Sequence, residues 1–274
     1  MNKSKIVFAL GATALAVSVC LFTGCRKNDD AEVATEQDTN YANDQNMAEK
    51  MFDDANSISD KASVTTGSGA FKTSGCGTVT HIDSLIIVDF GTTNCLCTDG
   101  RYRRGKVMIV KNGAYADSGS FHTITFDNYY QNDNKIEGTK KVTNRGKNSL
   151  GQPYFDVVVN GTVTKTDGTV LTTSWTRVRT WTAGYNTPIN WTDDVYSIKG
   201  TGTISRTGGT ATVNIPDTAP LIVALNCRWI QAGKIVYTLP SGLVRTLNYG
   251  DTPACDNQAT LQLPSGTVKT ITLP

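Results

Sequence analysis

Beyond Ser63 the chain places 36 of its 40 threonines and only one of its four glutamates, Glu137. β-Branched side chains lose rotamer freedom in a helix and sit well on a pleated surface, whereas glutamate is a helix former. The imbalance commits residues 63–274 to strand chemistry. Alternating runs agree with it: Ile82 to Phe90, Lys106 to Lys111, Phe121 to Tyr130, Phe155 to Thr164, Thr172 to Thr182 and Val195 to Ser205. Each has the two-residue period that sends successive side chains to opposite faces of a sheet. Asp167-Gly168 and Gly208-Gly209 stand where two-residue hairpin turns belong, and Asn132-Asp133-Asn134 does similar work.

The last quarter carries an internal echo, Leu-Pro-Ser-Gly-Leu-Val-Arg-Thr-Leu at 239–247 and Leu-Pro-Ser-Gly-Thr-Val-Lys-Thr-Ile at 263–271. In both, proline suits the first central turn position and glycine supplies a positive φ, so both read as hairpins. The run Leu221 to Ile230 is apolar on both faces, which predicts a central strand covered on both sides. The expected fold is all-β: an antiparallel meander of about a dozen strands, forming a sandwich or a curled, barrel-like sheet.

Upstream of the β-domain, Met47, Met51 and Ala55, with Ala48, Phe52 and Ile58 one step round, recur at helical spacing. They predict a short amphipathic N-terminal helix over 47–62 whose apolar face packs on the body. Residues 25–46 are polar and acidic, which reads as a disordered tether.

The first residues carry Lys3 and Lys5, then seventeen uncharged residues from Ile6 to Phe22, then small residues leading into Cys25. This is the layout of a secretory signal; a membrane-spanning helix needs about 20 apolar residues. Phe22-Thr23-Gly24-Cys25 resembles the lipobox of bacterial lipoproteins, with Phe22 where that family usually has leucine. Cys20, preceded by branched Val19, fits less well. The resemblance implies that residues 1–24 are removed as a signal peptide and that Cys25 is lipidated. Several acyl chains then hold the protein on a bilayer, where one alone would bind marginally. Arg26-Lys27-Asn28-Asp29-Asp30 resembles the short tag that sends lipoproteins of the Bacteroidota to the outer face of the outer membrane; a periplasm-facing lipoprotein is the alternative. With its tether, short helix and Thr-rich body, the whole chain is similar to Bacteroidota surface lipoproteins. That likeness implies the lipid bilayer as a partner and a surface-facing, outer-membrane location, and it implies no activity.

Once Lys3 and Lys5 leave with the signal, 24 basic residues face 24 acidic ones. A formally neutral chain has no basic field for nucleic acid, so no nucleic-acid partner is expected. Five cysteines remain after Cys20 and Cys25: Cys76, Cys95, Cys97, Cys227 and Cys255. An envelope location permits disulfides, but five thiols cannot all pair. Cys227 and Cys255 form the natural pair, and Cys76 can reach either Cys95 or Cys97. A metal site from Cys95, Cys97 and His81 or His122 lacks the usual spacer and a fourth ligand, so no metal is expected and the histidines read as polar strand-face residues. No Gly-x-Ser-x-Gly elbow, His-Glu-x-x-His pair or phosphate loop occurs, and no cofactor is expected. His81, Asp83 and Asp89 share a face of one expected strand, but no acid and base can be assigned across a cleft.

The most suggestive cluster is Trp175-Thr-Arg177-Val-Arg179-Thr-Trp181, whose alternation puts two indoles and two guanidinium groups on one face. It runs into a loop holding Tyr185, Trp191, Asp193 and Asp194. Arg177, Arg179, Trp181, Tyr185, Trp191, Asp193 and Asp194 are therefore the candidate ligand residues, with stacking surfaces for sugar rings and carboxylates for hydroxyl groups. The alternative is packing between strands with arginine as cation–π cover. Trp175 is expected to pack and Trp191 to be exposed. The function expected on these grounds is a lipid-anchored, non-enzymatic binding or interaction module, with a glycan or an envelope protein as partner. The other readings are a structural envelope protein without a small ligand and a hydrolase acting on a polymer.

Overall fold

The computed structural model describes residues 36–64, 69–70, 75–187, 190–263 and 265–273. The expected signal peptide, the expected lipidation site Cys25 and the residues read as a sorting tag lie outside the described residues. One helix, α1, spans Glu36–Val64. It starts well before the expected 47–62 segment, so residues 36–46, read above as tether, are helical. The reason is visible in the burial: Tyr41, Asp44 and Gln45 continue toward the N-terminus the buried stripe of Ala48, Met51, Phe52, Ala55, Ile58, Ser59 and Ala62. Spacings of three and four keep these on one face. Asp44 and Gln45 disguise that continuation as polar sequence. On the opposite face Asp53, Ser57 and Lys61 are exposed.

Among the described residues the strands form a single antiparallel sheet of sixteen. In chain order they are β1 (Gly69–Ala70), β2 (Thr78–Ile82), β3 (Leu85–Asp89), β4 (Cys95–Leu96), β5 (Tyr102–Lys111), β6 (Phe121–Gln131), β7 (Asn134–Lys147) and β8 (Pro153–Thr164). There follow β9 (Val170–Ala183), β10 (Val195–Arg206), β11 (Gly209–Ile215), β12 (Leu221–Ala224), β13 (Lys234–Thr238), β14 (Val244–Asn248), β15 (Gln258–Gln262) and β16 (Val268–Thr272). Spatial order follows chain order except that β4 pairs only with β5 and β12 only with β10. The meander is as expected. The sheet does not close into a barrel: no pairing joins β1 to β16 among the described residues.

Several turns differ in detail from their sequence reading. Asp167-Gly168 belongs to a three-residue loop in which Gly168 N–H donates to Lys165 O and Lys165 N–H to Thr169 O. The two echo segments repeat this pattern, Gly242 donating to Leu239 and Gly266 to Leu263, with both glycines near φ +85°. A type I turn followed by a left-handed residue fits that loop length. Thr207-Gly208 forms the next turn, because Arg206 pairs with Gly209. Asp83 lies in the β2–β3 turn at φ 50°, so it does not share a strand face with His81 and Asp89. The expected central strand Leu221 to Ile230 is also corrected. Only Leu221–Ala224 is a strand, and the chain then turns, Cys227 N–H bonding Ala224 O, with Leu225 exposed.

The inner face of the sheet closes on the helix in two cores. Ala48 to Ala62 of α1 pack with Val79, Ile86, Val107, Ile124, Val159 and Trp175 from the N-terminal half of the sheet. Tyr41 and Ala42 pack with Val213, Ile235, Leu247, Leu261 and Ile271 from the C-terminal half. Gly161 fixes the depth of contact: a Cβ there would stand 2.2 Å from the Phe52 ring, so only glycine lets the helix approach this closely. Two cysteine pairs stand at disulfide distance, Cys76–Cys97 and Cys227–Cys255, with Cα separations of 5.3 and 5.7 Å. Cys95 is left as a half-buried thiol.

Candidate functional site

Alternation along β9 places Trp175, Arg177, Arg179 and Trp181 on one face, and that face is the inner one. Trp175 is 5% exposed and meets Phe52 of α1 edge to face, with centroids 5.8 Å apart. Arg177, 3% exposed, donates from Nη2 to Glu49 Oε1 of α1 at 2.8 Å. Arg179 lies with its guanidinium 5.2 Å from the Phe155 ring and 5.0 Å from the Tyr196 ring, and it donates to the Tyr115 hydroxyl. Trp181 stacks on Tyr196 at 5.6 Å and meets Tyr185 edge-on. Trp175 and Arg177 are packed, as expected for Trp175, while Arg179 and Trp181 are half-buried, and Trp175 and Arg179 both reach a cleft.

The loop residues separate from one another. Asp193 accepts a hydrogen bond from Thr187 Oγ1 at 2.8 Å and stays exposed, while Asp194 is buried and its carboxyl is pushed up by that burial. Trp191 opens the single 3-10 turn Trp191–Asp193; its side chain lies outside the described residues.

The structure instead opens a cleft where the two cores meet. Val157 and Trp175 of the first core, Leu221, Tyr249 and Leu273 of the second, and half-buried Ile198, Val223, Trp229 and Ile230 enclose about 330 Å³ against one face of α1. Such a volume is within the range of small-ligand pockets. Because β8, β9 and the residue following β16 line one cavity, the curl brings together elements far apart in strand order. The wall supplied by α1 is polar: Asn46, Glu49, Lys50, Asp53 and Asp54, with Arg101, Lys140, Arg179 and Arg228 from the sheet and its loops.

Each carboxylate on that wall is held in an ion pair. Glu49 meets Arg177 at 2.8 Å, Asp53 meets Lys140 at 2.6 Å and Asp54 meets Arg101 at 3.0 Å. All three come from the same helix, so none faces another across the cleft as glycoside hydrolysis would require. Among the described residues no group of three or more His, Cys, Asp or Glu side chains is placed to hold a metal ion. No family model, no curated protein and no solved structure matches this chain. The class the structure itself defines is an open antiparallel sheet curled around one helix, with an amphipathic cleft at the seam of its two cores.

Sequence reasoning missed most of this cleft. Of the candidate ligand residues whose side chains are described only Arg179 lines it, and Arg228-Trp229-Ile230 reads in the sequence as part of a strand. The signal that bears on the latter is Cys227, whose link to Cys255 pins the turn beside the cleft mouth.

At the far end of α1 two titratable groups set opposing acid responses. His122, expected on a polar strand face, is on the inner face at 2% exposure, with Nδ1 3.2 Å from Ser59 Oγ. Burial, and to a lesser degree Lys111, pushes its pKa from 6.5 down to about 4. Asp60 is pushed by burial from 3.8 up to about 6. As pH falls from 6.5 to 4, the unfolded chain takes up a histidine proton that the folded chain refuses, so stability falls. Asp60 acts oppositely: the stability from its raised pKa is full below 3.8 and lost as pH rises through 6. In urea unfolding at pH 7.5 and pH 4.5, His122→Asn should remove about 2–3 kcal/mol of the acid loss, and Asp60→Asn should deepen that loss. Identical pH dependence in wild type and His122→Asn would contradict the burial assigned to the ring.

Proposed function

We propose that the protein is a lipid-anchored, surface-exposed, non-enzymatic binding module that seats a small ligand in the cleft between α1 and the curled sheet. The cleft itself carries the reading: about 330 Å³, apolar walls including two indoles, and a rim of charge. Ligand sites commonly combine an apolar lining with a few polar groups that fix orientation. The apolar walls favour a ligand with an apolar body, and the polar groups of α1 and the surrounding cations are there to orient its polar end. Lipidation at Cys25 remains the expected attachment, by the lipobox resemblance, and it would hold the cleft at the membrane surface.

The test has two arms. Titration with neutral N-phenyl-1-naphthylamine should saturate in wild type and weaken at least tenfold in Val223→Tyr, which grows a ring into the cavity, with Tm unchanged. Probe binding indifferent to Val223→Tyr would remove the cleft from the reading. Cys25→Ser should abolish partition into detergent-phase membranes, and persistent partition after signal cleavage would end the lipoprotein assignment.

A further inference from the structure

The rim of the cleft is unevenly neutralised. Arg101 is tied to Asp54 and to Asp99 at 3.0 and 2.9 Å, and Lys140 is tied to Asp53. Arg179 of the same lining is engaged by the Tyr115 hydroxyl and by the Phe155 and Tyr196 rings, whereas Lys50, half-buried on α1, and Arg228, exposed beside Trp229, have no ion pair among the described residues. Asp54, one helical turn from Lys50, is occupied by Arg101 and by Gln131 Nε2 at 2.8 Å.

From this we propose that the cleft takes a small amphipathic carboxylate of the medium-chain fatty-acid class, its chain among Val157, Trp175, Ile198, Leu221 and Val223 and its head between Lys50 and Arg228. The inference rests on the reading of the cleft as a ligand site and adds the ligand's chemistry. Like charges converging at a partly dry mouth repel one another, and an anion between them converts that repulsion into two charge-assisted contacts. Burial lowers the Lys50 pKa, the charges of Arg228 and Arg101 lower it further, and Asp54 offsets part of that, so an anion at the mouth would favour the charged lysine. Size agrees: about 330 Å³ is within the range of small-ligand pockets.

Calorimetric titration of the full-length protein with decanoate, decanol and decyltrimethylammonium separates the possibilities. Wild type should bind decanoate about tenfold more tightly than decanol and reject the cation. Lys50→Gln and Arg228→Gln should each erase most of that preference while leaving decanol affinity unchanged. A Lys50→Glu/Arg228→Glu variant should reverse the order and favour decyltrimethylammonium. Equal affinity for decanoate and decanol in wild type would overturn the anionic head and leave the cleft reading standing. A decanoate preference untouched by the variants would overturn the two residues assigned to it. No binding of any of the three would overturn the cleft reading as well.

Discussion

Trp175→Ala should lower the unfolding free energy by about 3–5 kcal/mol, the range for truncating a buried aromatic side chain. The indole is 5% exposed, lies edge-on to Phe52 and lies beneath the Arg177 guanidinium at 5.7 Å. Phe52 in turn sits against Gly161 and meets Phe126 edge-on at 5.8 Å. Removing the indole therefore loosens the contact that sets how deeply α1 sits in the sheet, and it enlarges a cavity that already exists beside it. Urea unfolding followed by far-UV circular dichroism measures the loss directly. A change no larger than about 0.5 kcal/mol is what an exposed aromatic side chain would give, and it would contradict the packing role that both the sequence and the structure assign to Trp175.

Glu49→Ala should cost a similar amount, about 3–5 kcal/mol, because it strands the Arg177 charge in the interior. Arg177 Nε and Nη1 have no hydrogen-bond partner among the described residues, so Glu49 is the group that compensates the guanidinium. The cost reflects an unpaired buried charge more than the worth of the pair. Accordingly, the double variant Glu49→Leu/Arg177→Met should recover most of the stability lost in the single one. If Glu49→Ala alone is nearly neutral, or if the double variant is as unstable as the single, the ion pair does not hold α1 to β9. The pair also bears on the cleft, since Glu49 lines it, and loss of the helix from its trough would abolish ligand binding along with stability.

How far the sequence foretold this depended on whether a residue's role follows from its neighbours in the chain. β6, β8, β9 and β10 were readable to within a few residues, because period-two alternation and strand-prone residues report a half-buried sheet locally. β7 was missed. Its inner face presents Ile136, Lys140, Val142 and Asn144, and a lysine at a core position breaks the alternation until Asp53 of α1 is there to neutralise it. The N-terminal half of α1 was missed for the same reason. Asp44 reads as tether until Lys165 and Arg206 reach it from the sheet at 3.2 and 3.0 Å.

By itself the sequence determined the class of the fold, antiparallel and all-β, the meander connectivity, the Cys227–Cys255 pair and the single face shared by Trp175, Arg177, Arg179 and Trp181. These follow from backbone periodicity, turn chemistry and cysteine spacing, which act over a few to a few tens of residues. Only the tertiary structure decided that this face points inward, that Cys97 rather than Cys95 meets Cys76, and that Lys50, Val223, Arg228 and Trp229 share a cavity. A strand's alternation shows which side chains stand together but not which side faces the core, since a two-residue period is the same from either face. That choice was made by a helix whose buried polar residues find their counter-charges only when sixteen strands curl around it.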